Sequence, residues 1–134
     1  MRKDIPEHVV RDVAVAVVLE EESGEGKSWK VYLINLQPKT LETTLLSSRG
    51  YGTYKDVELK TSVFRHSLGD IPPKSYLPVE VISEDVFVLN NEFFLSYYQD
   101  GIIYDKKYIF LPESIVESNF IKVPLVNKPG VMIR

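Results

Sequence analysis

A chain of 134 residues, 44% hydrophobic and 26% charged, has the size and composition of one ordinary globular domain, not of a disordered segment or a coiled coil. It has no cysteine, which excludes disulfides, thiolate nucleophiles, iron–sulfur clusters and cysteine-based zinc sites. A net charge of -3 has the wrong sign for phosphate neutralisation, so nucleic acid is not an expected partner.

The N-terminus opens Met1-Arg2-Lys3-Asp4 and runs through Glu7, His8, Arg11 and Asp12 before any apolar residues accumulate. A secretory leader would place an unbroken apolar stretch soon after its basic residues. The longest apolar run, Val13 to Leu19, falls far short of the roughly 20 residues of a membrane helix. The cytoplasm is the expected compartment, with no membrane partner.

Val13, Val15, Val17 and Leu19 share one face of a strand and Ala14, Ala16 and Val18 the other. Apolar residues on both faces predict a central strand or one covered twice. Residues 20–27 read as a polar loop, Trp29 to Leu36 as a second strand, 37–40 as a turn and Leu41 to Ser47 as a third strand. Gly50-Tyr51-Gly52 punctuates the chain, and Val57, Leu59, Thr61 and Val63 alternate as a half-buried strand. Pro72-Pro73 marks a connection. Leu77, Val79 and Val81 then alternate with Pro78 and Glu80, the proline predicting an edge strand or a bulge. Val86 to Leu89 reads as a short strand. Phe93, Leu95 and Tyr97 alternate up to Asp100-Gly101, and Ile102, Tyr104, Tyr108 and Phe110 alternate beyond it, the strongest hairpin signal present. Residues 112–117 allow one helical turn, with Ser114 and Glu117 at capping-box spacing. Residues 120–126 and 131–133 read as terminal strands. Many short strands without a long helix predict an all-β protein, specifically an immunoglobulin-like antiparallel β-sandwich in a single domain.

No catalytic, cofactor or metal residues stand out. The two histidines, His8 and His66, are far apart and lack the spacing of a metal pair. His66 stands at a strand end beside Arg65, where it can meet a carboxylate or a partner. No Gly-x-Ser-x-Gly elbow is present, and Ser47, Ser48 and Ser62 occupy strand or turn contexts where hydroxyls usually bond backbone. Ser48-Arg49-Gly50-Tyr51-Gly52 lacks the Lys-Ser/Thr of a phosphate loop and reads as a turn. Because arginine and tyrosine are enriched in interface hot spots, Arg49, Tyr51, Tyr54, Arg65 and His66 form the candidate interaction surface. Tyr97, Tyr104 and Tyr108 fit core packing; with Lys106 and Lys107 they would also suit base stacking, but no RNP consensus accompanies them.

Arg49-Gly50-Tyr51-Gly52, Thr61-Ser62-Val63-Phe64-Arg65-His66, Val86-Phe87-Val88-Leu89-Asn90-Asn91-Glu92-Phe93 and Tyr104-Asp105-Lys106-Lys107-Tyr108 together resemble a small uncharacterised bacterial family of similar length. The resemblance covers most of the chain and implies kinship without an activity. Some members carry the label phenylalanyl-tRNA synthetase alpha subunit. A class II synthetase grips ATP with a Phe-Arg-x-Glu motif; Phe64-Arg65-His66-Ser67 has Ser67 in place of the carboxylate, and no glycine-rich partner motif follows. That label is therefore read as a mistaken transfer. The expected function is a non-catalytic module that binds another protein or a second copy of itself. The alternatives are an RNA- or tRNA-associated protein and a small-ligand protein whose site draws on Arg49, Arg65 or His66.

Overall fold

The computed structural model describes residues 8–134. The charged lead-in before His8, on which the expectation of no leader rested, lies outside the described residues. Ten strands form two antiparallel sheets, with no α-helix among the described residues. They are β1 (Val13–Ser23), β2 (Gly26–Asn35), β3 (Leu41–Tyr54), β4 (Val57–Lys60), β5 (Phe64–Ile71), β6 (Ser75–Ile82), β7 (Asn90–Gln99), β8 (Ile102–Phe110), β9 (Ile121–Lys122) and β10 (Pro129–Ile133). The first sheet has the order β6-β2-β1-β10-β9; the second has β4-β3-β7-β8, with β5 also paired to β3. No helix among the described residues is long and apolar enough to cross a membrane.

β1 fulfils its two-sided pattern. Val13, Val15 and Val17 face the second sheet and pack with Leu33, Leu46, Phe93, Leu95 and Phe110. Ala14, Ala16 and Val18 face outward, yet are fully buried with Tyr32 and Ile34 beneath Val123 and Val126. The small alanines let the 123–126 segment lie close against the sheet, and each valine so buried stabilises the fold by roughly 1.5–3 kcal/mol over an exposed one. The two layers are also joined by a hydrogen bond, since buried Tyr108 on β8 donates its hydroxyl to the Val13 carbonyl at 2.6 Å.

Several expected boundaries shift. β1 and β2 continue through the polar residues 20–27 and turn only at Gly24-Glu25, because a hairpin needs just two loop residues and polar side chains are free to stand in solvent. Gly50-Tyr51-Gly52 is not a turn but part of the long β3. Gly50 permits close packing there, since a Cβ would meet the Thr61 methyl at 3.0 Å. The actual turn is Lys55-Asp56, both with positive φ, which hands the chain back into β4. Thr61 leaves the ladder and bonds Gly50 instead, with a new strand, β5, beginning at Phe64. The short strand expected over Val86 to Leu89 does not form: Glu84–Val86 make a 3-10 turn and β7 begins only at Asn90, and of residues 120–126 only Ile121 and Lys122 pair. Residues 117–119 form one 3-10 turn without the expected capping box. The Asp100-Gly101 hairpin stands as predicted, both residues having positive φ.

β6 is an edge strand with a bulge beside Pro78, as the proline suggested. Glu80 pairs with Val31 but Pro78 with Tyr32, leaving Val79 as the extra residue. The extra residue reverses the alternation, so that Val81 is 73% exposed and Ile82 is buried. Glu80, expected on the outer side, turns inward.

β10 packs against β1 so closely that a Cβ at Gly130 would lie 2.5 Å from the Val17 carbonyl oxygen. Gly130→Ala is expected to destabilise the protein by about 1–3 kcal/mol. Gly24→Ala, whose Cβ would meet nothing within 4 Å, should change stability by no more than about 0.5 kcal/mol. Thermal unfolding of the two variants side by side checks both values.

Candidate functional site

Side chains alternate across the second sheet, so its ladder registers define which residues share the solvent face. Arg65, Ser47, Phe94 and Lys107 form one row across β5, β3, β7 and β8. Ser67, Leu45, Ser96 and Asp105 form the next. Beyond them lie Glu42, Tyr98 and Ile103, and on the other side Arg49, Glu92 and Ile109. Leu45, Phe94, Tyr98 and Ile103 are 48%, 41%, 42% and 49% exposed. A half-open hollow of about 370 Å³ lies between Leu45, Ser47, Arg65 and Phe94.

At one end of this face Glu92 organises a charged cluster. Its carboxylate accepts from Arg49 at 3.0 and 3.4 Å and from the Tyr51 hydroxyl at 3.2 Å, with Lys107 at 3.9 Å. The Arg49 guanidinium also lies over the Tyr51 ring, 5.1 Å from its centroid. Burial pushes the Glu92 carboxyl up, but the Arg49 and Tyr51 hydrogen bonds and the two cations outweigh it and hold the pKa below its ordinary 4.5. Desolvation first, and then the Glu92 contact, raises the Tyr51 phenol.

The structure thus brings Arg49, Tyr51 and Arg65 to one face and separates the other two candidates from them. Tyr54 stands on the opposite pleat beside the β3–β4 turn, with the Lys55 ammonium 5.3 Å from its ring centroid. His66 points the other way from Arg65, as neighbours on a strand must. Its Nε2 lies 2.7 Å from Glu80 Oε1, and Ser48 donates its hydroxyl to that same oxygen at 2.8 Å. Ser48 was expected to bond backbone; it bonds a carboxylate because the β6 bulge delivers Glu80 to it. The order of contacts matters chemically. A serine nucleophile needs the imidazole to take its proton. Here the carboxylate stands between serine and histidine, so the trio anchors a charge and does not relay a proton. Among the described residues no group of three or more metal-ligating side chains occurs.

Glu92, Phe94 and Glu80 were not singled out from the sequence, and Lys107 was considered only for base stacking beside the tyrosines. A charged residue inside the strand Asn90–Gln99 was the available signal for Glu92; for Glu80 there was none without the bulge. No protein-family model matches the chain, and no curated protein matches it.

Because the folded pKa of Glu92 lies below its unfolded value, its contribution is complete above about pH 4.5 and is lost as the pH falls through the folded value. Glu92→Gln should cost about 1 kcal/mol at neutral pH. The gap between variant and wild type should narrow progressively as the pH falls below about 4.5. Urea unfolding at several pH values measures it; a gap that widens with acid would refute the assigned ion pair.

Proposed function

We propose that the chain is an immunoglobulin-like sandwich acting as a protein-interaction module, and that its partner is a second copy of itself, met through the solvent face of the second sheet. Two strand orders support the fold reading. β1-β2-β6 follows the A-B-E order of one immunoglobulin sheet, and β3-β7-β8 follows the C-F-G order of the other. β9 and β10 are additions on the β1 side.

The observation that carries the interaction reading is the distribution of apolar and charged residues over that face. A two-fold axis running across the strands, between the rows of Lys107 and Asp105, sets row against row with each strand facing its own copy. Lys107 then meets Asp105 of the second copy, and Arg49 meets Glu42. Ile109 meets Ile103, and Leu45 and Phe94 fill the centre. Each pairing recurs on the other side of the axis, as an isologous contact requires. Four strands about 4.8 Å apart and four rows about 6.8 Å apart give a patch of modest area. This sits at the small end of specific interfaces and corresponds to a concentration-dependent dimer.

Sedimentation velocity over a range of concentrations tests it. The expected result is a monomer–dimer equilibrium that Phe94→Glu weakens by at least about tenfold. Asp105→Lys should weaken it as well, and the exchange Asp105→Lys with Lys107→Asp should restore it. A chain that stays monomeric throughout, or a dimer indifferent to Phe94→Glu, would overturn the proposal.

A further inference from the structure

Three glutamates have side chains largely withdrawn from water: Glu92 at 8% exposure, Glu20 at 13% and Glu80 at 16%. A carboxylate so placed needs compensation. Glu92 has Arg49 and Lys107 together with the Tyr51 hydroxyl. Glu20 has Lys30 at 3.9 Å, Lys128 at 3.2 Å and the Tyr32 hydroxyl at 3.0 Å. Glu80 has the Ser48 hydroxyl and the His66 imidazole, both on Oε1, and no lysine or arginine among the described residues. In the other two cases a hydroxyl is supplemented by two permanent cations. Here neither cation is present among the described residues, and His66 stands in their place.

Glu80 lines a cavity of about 280 Å³ at the open edge between the sheets. The cavity opens where β3 changes partner from β5 to β4, the gap being bridged by Thr61 and Ser62. Apolar side chains make most of its wall: Phe93 and Ile82 belong to the core, Val86 packs against it, and Phe64 remains 55% exposed at the rim. The polar Thr61 hydroxyl is already engaged, accepting from Gly50 N–H and donating to the Ser62 carbonyl. A concave, mainly apolar site whose wall carries a carboxylate paired with no lysine or arginine among the described residues is the form of a small-molecule pocket. The charge fixes the ligand's head and the wall fixes its body.

We propose that this cavity binds a small organic ammonium compound, its cationic head on the Glu80 carboxylate and its apolar body against Phe64, Ile82, Val86 and Phe93. Ser48 and His66 hold the carboxylate in place and are positioning residues. The ligand supplies the cation that Glu20 and Glu92 obtain from within the chain. The site lies on the inner pleat of β3 and β5, behind the face assigned to self-association, and stands or falls separately from it.

Benzylammonium and benzyl alcohol, alike in shape and different in charge, are the probes, followed by amide chemical shifts in the unmodified protein. Benzylammonium should give saturable shifts confined to residues around Ser48, Thr61, Phe64 and Ile82, and the alcohol should bind at least about tenfold more weakly. Glu80→Gln should reduce ammonium binding by a similar factor while leaving the spectrum folded. His66→Lys, which offers Glu80 an internal cation, should abolish it. Absence of saturable shifts at tens of millimolar, equal binding of the alcohol, or undiminished binding to a folded Glu80→Gln variant would each overturn the proposal. The comparison of the two probes needs no variant and decides the matter even if substitutions at Glu80 fail to fold.

Discussion

Burial of β1 on both faces is the constraint from which the rest of the architecture follows. A strand with valines on one pleat and Ala14, Ala16 and Val18 on the other cannot lie at an edge or have a solvated face without losing much of its apolar burial. β2 and β10 therefore flank it, the second sheet covers its valines, and the 123–126 segment covers its alanines. Among the polar groups drawn in with it, the Asn35 amide is fully used, while the buried Tyr97 hydroxyl has no partner among the described residues. Asn35, fully buried at the end of β2, donates to the carbonyls of Lys39, Ile71 and Pro72 and accepts from Gln37 N–H. One amide thus secures both the entry to β3 and the passage from β5 to β6.

Where strand order is local, the sequence was readable. The two-sided pattern of β1 and the Asp100-Gly101 turn between β7 and β8 both translate directly, since each depends on neighbours a few residues away. The readings that failed share a different cause. Gly50-Tyr51-Gly52 resembles a turn in composition, but its glycines accommodate Thr61, which is eleven residues distant, and Asn90, which is some forty. β5 escaped notice because Phe64-Arg65-His66-Ser67-Leu68 has no clean apolar face: Phe64 and Arg65 are exposed and His66 serves Glu80. The candidate residues fared according to the same rule. Arg49 and Tyr51 lie two apart on one strand and share a face, whereas Arg65 and His66 are adjacent and must diverge.

β3 consequently carries two electrostatic regimes on its opposite sides. Arg49 points outward into a cluster where two cations and a phenol surround one carboxylate, while Ser48, the preceding residue, points inward to a carboxylate with no fixed cation among the described residues. The first arrangement is complete within the chain and stiffens the sheet locally. The second has spare capacity for a donor. A backbone that alternates residue by residue allows these to coexist within a few ångströms, because the sheet itself separates them.

The extra residue at Val79 sets which of two surfaces the final third of β6 displays. Were Val79 taken into regular pairing and the bulge lost, the strand would return to even alternation, Val81 would turn into the interior and Glu80 out to water, where its charge would need no company. The acidic wall of the cavity is therefore a matter of counting more than of composition. The same residues in the same edge strand would thus present an acidic or an aliphatic wall according to register alone, Ile82 giving up its place in the core to Val81.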